Sequence, residues 1–268
     1  MMATDKEIKS EQGAKPAFAY RMALAGGWID QPFVSRFNPN PPGSMVVVNL
    51  HPTIKFMDRS GMATSTRRVA EKLWNGSLPA GDPHQLVREL YDAENQGREA
   101  PSGSQDMAGL IIPGVSRLDY DAAIEGGYFP CHIESCNDPE VAKWLEKVIH
   151  FLPVAERPEG YSPLGTQRVT AEWAGRLGEC GKACYYAILA KDSKKLGASM
   201  NESMKCWEAL LPATVAHPLI KVDLRGLLAS YQSRYPGAMY SGCGGGYLYI
   251  VSEQPVPGAF QIKVRIAD

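Results

Sequence analysis

The chain of 268 residues carries 28 Lys and Arg side chains against 29 Asp and Glu side chains. This balance excludes the broad basic field of a typical nucleic-acid-binding protein, and it excludes an acidic tail. No stretch reaches the roughly 18 apolar residues of a membrane span. We therefore expect a cytoplasmic protein whose partner is a small molecule or another protein, with no nucleic acid and no membrane.

Residues 1–15 are polar and of mixed charge, and they lack the apolar core of a signal peptide. We expect a disordered tail there. The six cysteines include no Cys-x-x-Cys pair. Because close cysteine pairs are typical of structural zinc sites, we expect reduced, buried thiols rather than metal ligands.

The segment 17–29 is apolar and predicts a buried strand that ends in a Gly-Gly turn and delivers Asp30 to a loop. Prolines crowd the next stretch and predict irregular structure up to Ser44. A second strand is predicted over 45–50, where three valines follow one another.

A loop of small residues at 61–66 precedes apolar residues at helical spacing, which predicts a helix over 67–74. The free N–H groups of such a helix start suit a phosphate. The same pattern also fits an ordinary hydroxyl N-cap, which the local sequence favours. A second helix is predicted over 83–96, and it carries Glu94 near its apolar face.

Asp106 follows a glycine turn and precedes an apolar stretch. A carboxylate in this setting is either a helix cap or a functional acid. The residues that follow alternate in polarity over 115–120, which predicts another strand.

The chain beyond residue 139 is expected to be mostly helical, and the mixture of strands and helices indicates the α+β class. Helices are predicted over 140–147, 167–177, 180–190, 192–210 and 219–235, and strands over 148–154, 247–251 and 260–266. The glycine-rich segment 237–251 fits either a hairpin turn or a close approach of the backbone to a ligand.

Four sequence blocks stand in the order found in the GHMP kinase superfamily, which includes galactokinase, homoserine kinase, mevalonate kinase and phosphomevalonate kinase. The chain most resembles its heptose and fucose kinase branch. The blocks are RMALAGGWID at 21–30, GMATST at 61–66, GSQDMA at 103–108 and SGCGGG at 241–246.

The resemblance implies a two-lobed α+β fold, with a mixed-sheet N-terminal lobe over 16–120 and a helix-rich C-terminal lobe over 121–268. It implies a kinase that uses ATP and Mg²⁺ to phosphorylate a hydroxyl of a sugar, sugar phosphate or related polyol. A homodimer is compatible with it.

By the same resemblance, Asp106 is the catalytic carboxylate and Arg21 lies near the transferred phosphoryl group. Mg²⁺ would be held by Ser65 and Glu94. The acceptor would contact Asp30, Gly26, Gly27, Trp28, Gly242, Gly244 and Gly245. The nucleotide would contact the phosphate loop, which is Gly61, Met62, Ala63, Thr64, Ser65 and Thr66.

The chain departs from the family pattern in two regions. Ala63 replaces a glycine of the phosphate loop, the usual Pro-x-Gly before that loop is absent, and the separation between Asp30 and Gly61 is short. These departures predict a degenerate phosphate loop and a shortened N-terminal lobe. They motivate an alternative, a catalytically weak or inactive relative that binds a sugar or nucleotide as a sensor or partner module.

Two arginines stand beside the phosphate loop where the family has small or apolar residues. Arg67 and Arg68 are either surface charges or contacts for a phosphate already present on the acceptor. Both interpretations stay open at the level of the sequence.

Overall fold

A computed structural model describes residues 18–267, so the predicted tail over 1–15 lies outside the described residues. The strands are β1 (Tyr20–Ala23), β2 (Gly43–Leu50), β3 (Val115–Tyr120), β4 (His132–Cys136), β5 (Ile149–Ala155), β6 (Gly237–Gly242), β7 (Gly245–Val251) and β8 (Phe260–Gln261). The helices are α1 (Pro32–Ser35), α2 (Thr64–Leu73), α3 (Pro83–Asn95), α4 (Gln105–Ile111), α5 (Pro139–Val148), α6 (Ala171–Leu189), α7 (Ser193–Leu210) and α8 (Leu224–Gln232).

The strands form two four-stranded sheets, which confirms the α+β class. The first sheet has the order β1-β2-β3-β4, and each neighbouring pair is antiparallel. The expectation of a mixed sheet in the N-terminal lobe is therefore wrong. Strand β4 extends this sheet beyond residue 120, and the lobe boundary predicted there stays a prediction.

The second sheet has the order β6-β7-β5-β8 and is also antiparallel. Strands β6 and β7 pair through Gly242 and Gly245, so the glycine-rich segment forms a hairpin. This confirms the hairpin interpretation. The same hairpin borders the cavity described below, so the two interpretations of this segment are not exclusive.

Two predicted helices, 167–177 and 180–190, are a single helix α6. Glycine inside this helix has a packing role. A Cβ atom at Gly181 would lie 1.9 Å from the carbonyl oxygen of Ser44, so only glycine lets α6 approach β2 this closely. Helix α4 also packs on β2, and every residue of that strand is buried.

Other differences concern the ends of elements. The strand predicted over 17–29 is limited to β1, and turns follow it. Pro32 is the first residue of the short helix α1, a position where the missing N–H of proline removes no hydrogen bond. The expectation of irregular structure up to Ser44 is therefore wrong. The last strand ends at Gln261, and beyond it only Val264 bridges to Leu50 within the described residues.

No helix within residues 18–267 combines the length and apolar composition needed to cross a membrane.

Candidate active site

All four sequence blocks contribute residues to a cavity of about 170 Å³. The second block, the phosphate loop, contributes its first residue, Gly61. We call it the central cavity. Its lining residues come from β1 and the turn after it, from the start of α4, and from the β6–β7 hairpin. They are Arg21, Ala23, Gly27, Trp28, Asp30, Gln31, Gly61, Ser102, Gly103, Gln105, Asp106, Arg157, Trp207, Ser241, Gly242 and Cys243.

An ion pair between Arg21 and Asp106 lies on the wall of the central cavity. Arg21 is a buried residue of β1, and its Nη2 atom donates to the Asp106 carboxylate. Its Nη1 atom donates to the carbonyl oxygen of Gly61 at 3.1 Å. The arginine therefore ties the acid predicted to be catalytic to the start of the phosphate loop.

Asp106 lies in the first turn of helix α4, where the helix dipole favours a negative charge. It does not cap the helix, because the N-cap residue is Ser104. Its second oxygen accepts a hydrogen bond from the Thr66 hydroxyl at 3.4 Å. About a quarter of its side chain is exposed, so one edge of the carboxylate is open to a ligand.

Asp30 is fully buried, with a relative exposure of 0%. Gln105 donates its side-chain amide to both carboxylate oxygens, at 3.1 and 3.0 Å. Burial and, next, the Asp106 charge raise the pKa of Asp30, the contacts with Gln105 and Arg21 lower it, and the net pKa is about 6. A Cβ atom at Gly103 would lie 1.9 Å from one Asp30 oxygen, so only glycine allows the backbone to lie this close to the Asp30 carboxylate.

The phosphate loop packs directly against the β6–β7 hairpin. Gly61 has a φ of +77°, and a Cβ atom there would lie 2.2 Å from the carbonyl oxygen of Ser241. Ala63 also has a positive φ, 55°, and is the N-cap of helix α2 without a side-chain hydrogen bond. The hydroxyl N-cap interpretation is therefore wrong, and within residues 18–267 no side chain caps the first N–H groups of α2.

The remaining loop residues differ in where their side chains lie. Met62 is fully buried, and its sulfur contacts the Tyr249 hydroxyl at 3.0 Å, so this side chain belongs to the core. Thr64 is half-buried in the first turn of α2. Ser65 is exposed, whereas Thr66 is buried and contacts Asp106. The hydroxyl that faces the acids is thus that of Thr66 rather than Ser65.

Glu94 lies on the same side of the site as Thr66 and Asp106. Its side chain is 7% exposed, and its Oε2 atom is buried without a hydrogen-bond partner in the described structure. Burial raises the pKa of Glu94, Thr66 lowers it, and the Asp106 charge raises it. Among residues 18–267 there is no group of three or more His, Cys, Asp or Glu side chains placed to hold a metal.

Glu94, Asp106 and Thr66 nevertheless fit Mg²⁺. This ion prefers oxygen ligands and usually takes only one or two carboxylates, with phosphates and waters completing its shell. The orphaned Oε2 atom of Glu94 is a buried acceptor of the required kind.

The residues predicted to contact the acceptor divide into two groups. Asp30, Gly27, Trp28 and Gly242 line the central cavity. Gly26, Gly244 and Gly245 do not; Gly244, for example, packs on the Tyr161 ring.

Two tryptophans close the side of the central cavity near Gly27. The Trp28 indole donates to the Cys243 sulfur at 3.3 Å. The Trp207 indole donates to the carbonyl oxygen of Gly27 at 2.9 Å. These contacts fix the turn that carries Asp30 relative to the hairpin.

The two arginines beside the phosphate loop point elsewhere. Arg67 pairs with Glu71 and donates to the Phe18 carbonyl oxygen, and the exposed Arg68 pairs with Asp58. Neither lines the central cavity, so the structure favours the surface-charge interpretation for Arg68, whereas the Arg67 guanidinium is mostly covered and lies over the Tyr20 ring.

The sequence did not identify Gln105, Arg157 or Trp207 as functional, and it assigned Thr66 to the nucleotide rather than to the metal. Gln105 stood inside a quoted block, and Thr66 stood in the phosphate loop beside the residue assigned to the metal. Arg157 lies between β5 and α6 in a segment that matches none of the quoted blocks. Only its place in the folded chain identifies it.

No model of a known protein family matches the sequence, and no curated protein matches it either. Solved structures match it over nearly the whole chain. D-glycero-D-manno-heptose 1-phosphate kinase from Bacteroides thetaiotaomicron has 11% identity and a TM-score of 0.54, with 93% of this chain and 96% of that one covered. Mevalonate kinase from Methanococcus jannaschii has 10% identity and a TM-score of 0.56, with 88% and 90% covered.

Mevalonate diphosphate decarboxylase from Staphylococcus aureus is similar to the same degree, with 12% identity, a TM-score of 0.53 and coverage of 93% of this chain and 96% of that one. At such identities the similarity concerns the fold. The chain has the fold of the GHMP kinases, and its chemistry has to be argued from its own site.

Proposed function

We propose that this chain, which folds as a GHMP kinase, is an ATP- and Mg²⁺-dependent kinase that phosphorylates a hydroxyl of a small polyol such as a sugar or sugar phosphate. The observation that carries the proposal is the Arg21–Asp106 pair, which joins an acid at the central cavity to the phosphate loop through Gly61. Phosphoryl transfer requires this combination of positioning and charge stabilisation.

Asp106 accepts the proton of the acceptor hydroxyl or orients that hydroxyl for attack. Its carboxylate is fixed on one side by Arg21 and on the other by Thr66, and it stays partly open. A positioned general base typically contributes about 10² to 10⁴ in rate. Arg21 stabilises negative charge that develops on the transferred group.

The acceptor occupies the central cavity. The buried Asp30 accepts hydrogen bonds from its other hydroxyl groups, since Gln105 already holds this carboxylate in place. Trp28 and Trp207 contribute the apolar part of the wall. A site that combines apolar walls with a few fixed polar groups is typical of small-molecule recognition.

The nucleotide phosphates lie at the N-terminus of α2. Among the described residues no side chain caps the N–H groups there, and the helix dipole favours anions. Glu94, Asp106 and Thr66 would hold Mg²⁺, which when bound neutralises charge on the phosphates. Glu94 supports this role because its Oε2 atom is buried without a partner in the described structure.

The test is transfer of phosphate from ATP with Mg²⁺ to a panel of free hexoses, pentoses, heptoses, polyols and their phosphates, scored by product mass. The expected result is a mass increase of one phosphoryl group on at least one acceptor. Folded protein that binds ATP with Mg²⁺ but hydrolyses it only to phosphate, with every acceptor returned unchanged, would contradict the proposal.

A binding module without turnover is the second candidate, and a specific observation favours it. Ala63 occupies a left-handed conformation inside the phosphate loop and is almost fully buried there, so its methyl group stands where the family pattern has a bare glycine. Calorimetry of ATP binding discriminates the two candidates. Absence of Mg²⁺-dependent binding at millimolar ATP would favour the binding module.

A further inference from the structure

We propose that the acceptor carries an anionic group, a phosphate or a carboxylate, and that Arg157 binds it. This inference rests on the proposed function, because it names the class of acceptor that the central cavity takes. It assigns a binding role to a residue that no sequence block contains.

The Arg157 guanidinium is held in a fixed orientation at the cavity wall. Its Nε atom donates to the carbonyl oxygen of Cys243 at 2.9 Å. The group lies 5.8 Å from the centre of the Tyr161 ring. Its Nη2 atom is 3.1 Å from the position that a Cβ atom on Gly242 would take, so glycine at that position leaves room for the guanidinium.

The Nη groups of Arg157 remain available. Within residues 18–267 no carboxylate forms an ion pair with this arginine, and neither Nη atom donates a hydrogen bond. The side chain is half-buried and lines the central cavity. A fixed guanidinium with two open N–H groups matches the geometry of phosphate and carboxylate oxygens.

The charges of the central cavity explain why the anion belongs at Arg157. Arg21 and Asp106 pair with each other, so they leave little net charge for a ligand. Asp30 is a carboxyl group, so its side of the cavity offers an anion no positive charge. Arg157 is the cation of the lining that lacks a carboxylate partner in the described structure.

A continuous set of contacts connects the two ends of the site. Arg157 borders Gly242, Gly242 packs on Gly61, and Gly61 accepts a hydrogen bond from Arg21, which pairs with Asp106. An acceptor that spans the cavity can therefore place its anionic group at Arg157 while one hydroxyl reaches Asp106. Its remaining hydroxyl groups then face Asp30.

Binding of three matched three-carbon probes tests the proposal without any turnover. Glycerol is neutral, glycerol 3-phosphate carries a phosphate, and glycerate carries a carboxylate. We expect wild-type protein to bind at least one anionic probe about 10- to 100-fold more tightly than glycerol, as measured by calorimetry without nucleotide. The arms with phosphate and carboxylate show which anion is preferred.

The variant Arg157→Gln should lose this preference, whereas Arg68→Gln, which removes the same charge from an exposed position outside the cavity, should retain it. Any binding of an anionic probe at the N-terminus of α2 is the same in wild type, Arg157→Gln and Arg68→Gln. A difference in probe affinity among these three proteins therefore comes from Arg157. Arg157→Lys keeps the positive charge but lacks the planar pair of N–H groups, so it should give an intermediate affinity for the anionic probes. If Arg157→Gln does not fold, Arg157→Lys replaces it in the comparison.

Kinetics add a second measurement once an acceptor is known. Arg157→Gln should raise KM for the acceptor at least about tenfold and leave KM for ATP unchanged. A shift in KM for ATP instead would assign the arginine to the nucleotide and overturn the proposal. Equal binding of all three probes by the wild type, or an unchanged preference in Arg157→Gln, would also overturn it. The two binding results do not depend on whether phosphate is transferred.

Discussion

Gln105 holds both carboxylate oxygens of Asp30, at 3.1 and 3.0 Å, and the residue next to it, Asp106, pairs with Arg21. One turn of helix α4 therefore sets two acids of the site in different surroundings. Asp30 is fully buried and held by a neutral amide, whereas Asp106 is partly open and held by a cation. Two carboxylates in unlike environments are suited to different roles.

Asp106 is expected to be the acid that matters for turnover. Asp106→Asn preserves the shape of the side chain but removes its ability to accept a proton, so kcat should fall about 10²- to 10⁴-fold. The measurement is initial rate with the acceptor found in the panel, with circular dichroism as the check on folding. Wild-type kcat in the folded variant would refute the role given to Asp106.

Asp30 should make the free energy of unfolding depend on pH. Its pKa is about 6 in the folded protein against 3.8 for an ordinary aspartate, so folding favours the protonated form. The contribution to stability is thus fully present below pH 3.8 and is lost as the pH rises through about 6. Since one pKa unit corresponds to about 1.4 kcal/mol, the loss amounts to at most roughly 3 kcal/mol.

Denaturant unfolding of wild type and Asp30→Asn between pH 4 and 7.5 measures this effect. The stability of the variant relative to wild type should increase with pH across that window and level off above it. Parallel pH profiles for the two proteins would show that Asp30 titrates as an ordinary aspartate.

Ala63→Gly is expected to stabilise the protein. Ala63 has a φ of 55°, a left-handed conformation that costs roughly 1 to 2 kcal/mol for a residue with a Cβ atom. Part of this gain is offset by the greater freedom of glycine in the unfolded chain, so a net increase of about 0.5 to 1 kcal/mol is expected. The matched control is Ala70→Gly in the interior of α2, which should destabilise by at least about 1 kcal/mol. Equal losses for both variants would contradict the strain assigned to Ala63.

Glu94 and Thr66 are expected to set the affinity for Mg²⁺. Glu94→Gln removes the charge of a buried carboxylate that has a free oxygen, so the Mg²⁺ concentration for half-maximal rate should rise about tenfold or more. Binding of Mn²⁺ in the presence of ADP, followed by electron paramagnetic resonance, gives a readout that does not require turnover.

A comparison of Thr66→Val with Ser65→Ala tests which of the two hydroxyl groups binds Mg²⁺. The effect on metal affinity should be larger for Thr66→Val, because Thr66 is buried beside Asp106 and Ser65 is exposed. The opposite order would return the ligand role to Ser65.

The hairpin of the glycine-rich segment was predicted from its local chemistry and is confirmed. Asp30 and Asp106 were singled out by the family resemblance of short blocks of residues; both line the central cavity, and their roles stay predictions. The assignment of Ser65 stays a prediction, but it rests on a motif that does not contain the local backbone conformation. Helix α2 begins at Thr64 after the left-handed Ala63, and this phase turns Thr66, not Ser65, toward Asp106.

Arg157 was beyond reach of the sequence for a different reason. Its role depends on Cys243 and Gly242, which lie far along the chain, and no periodicity or block marks the segment that carries it. The continuity of α6 was also not predicted; Gly178 and Gly181 lie inside this helix although glycine disfavours helices in general. The close approach of Gly181 to Ser44 explains their presence only once the helix is packed on β2.

Transfer of isotopically labelled phosphate from the γ position of ATP to the acceptor distinguishes a catalytic from a structural role of Asp106 when it is compared in wild type, Asp106→Asn and Arg68→Gln. We predict Mg²⁺-dependent labelling of the acceptor by wild type and by Arg68→Gln, and a loss of about 10² to 10⁴ in rate for Asp106→Asn. Labelling that is absent from wild type across the panel, in protein that binds ATP, or that persists unchanged in Asp106→Asn, would contradict the central claim that Asp106 serves phosphoryl transfer.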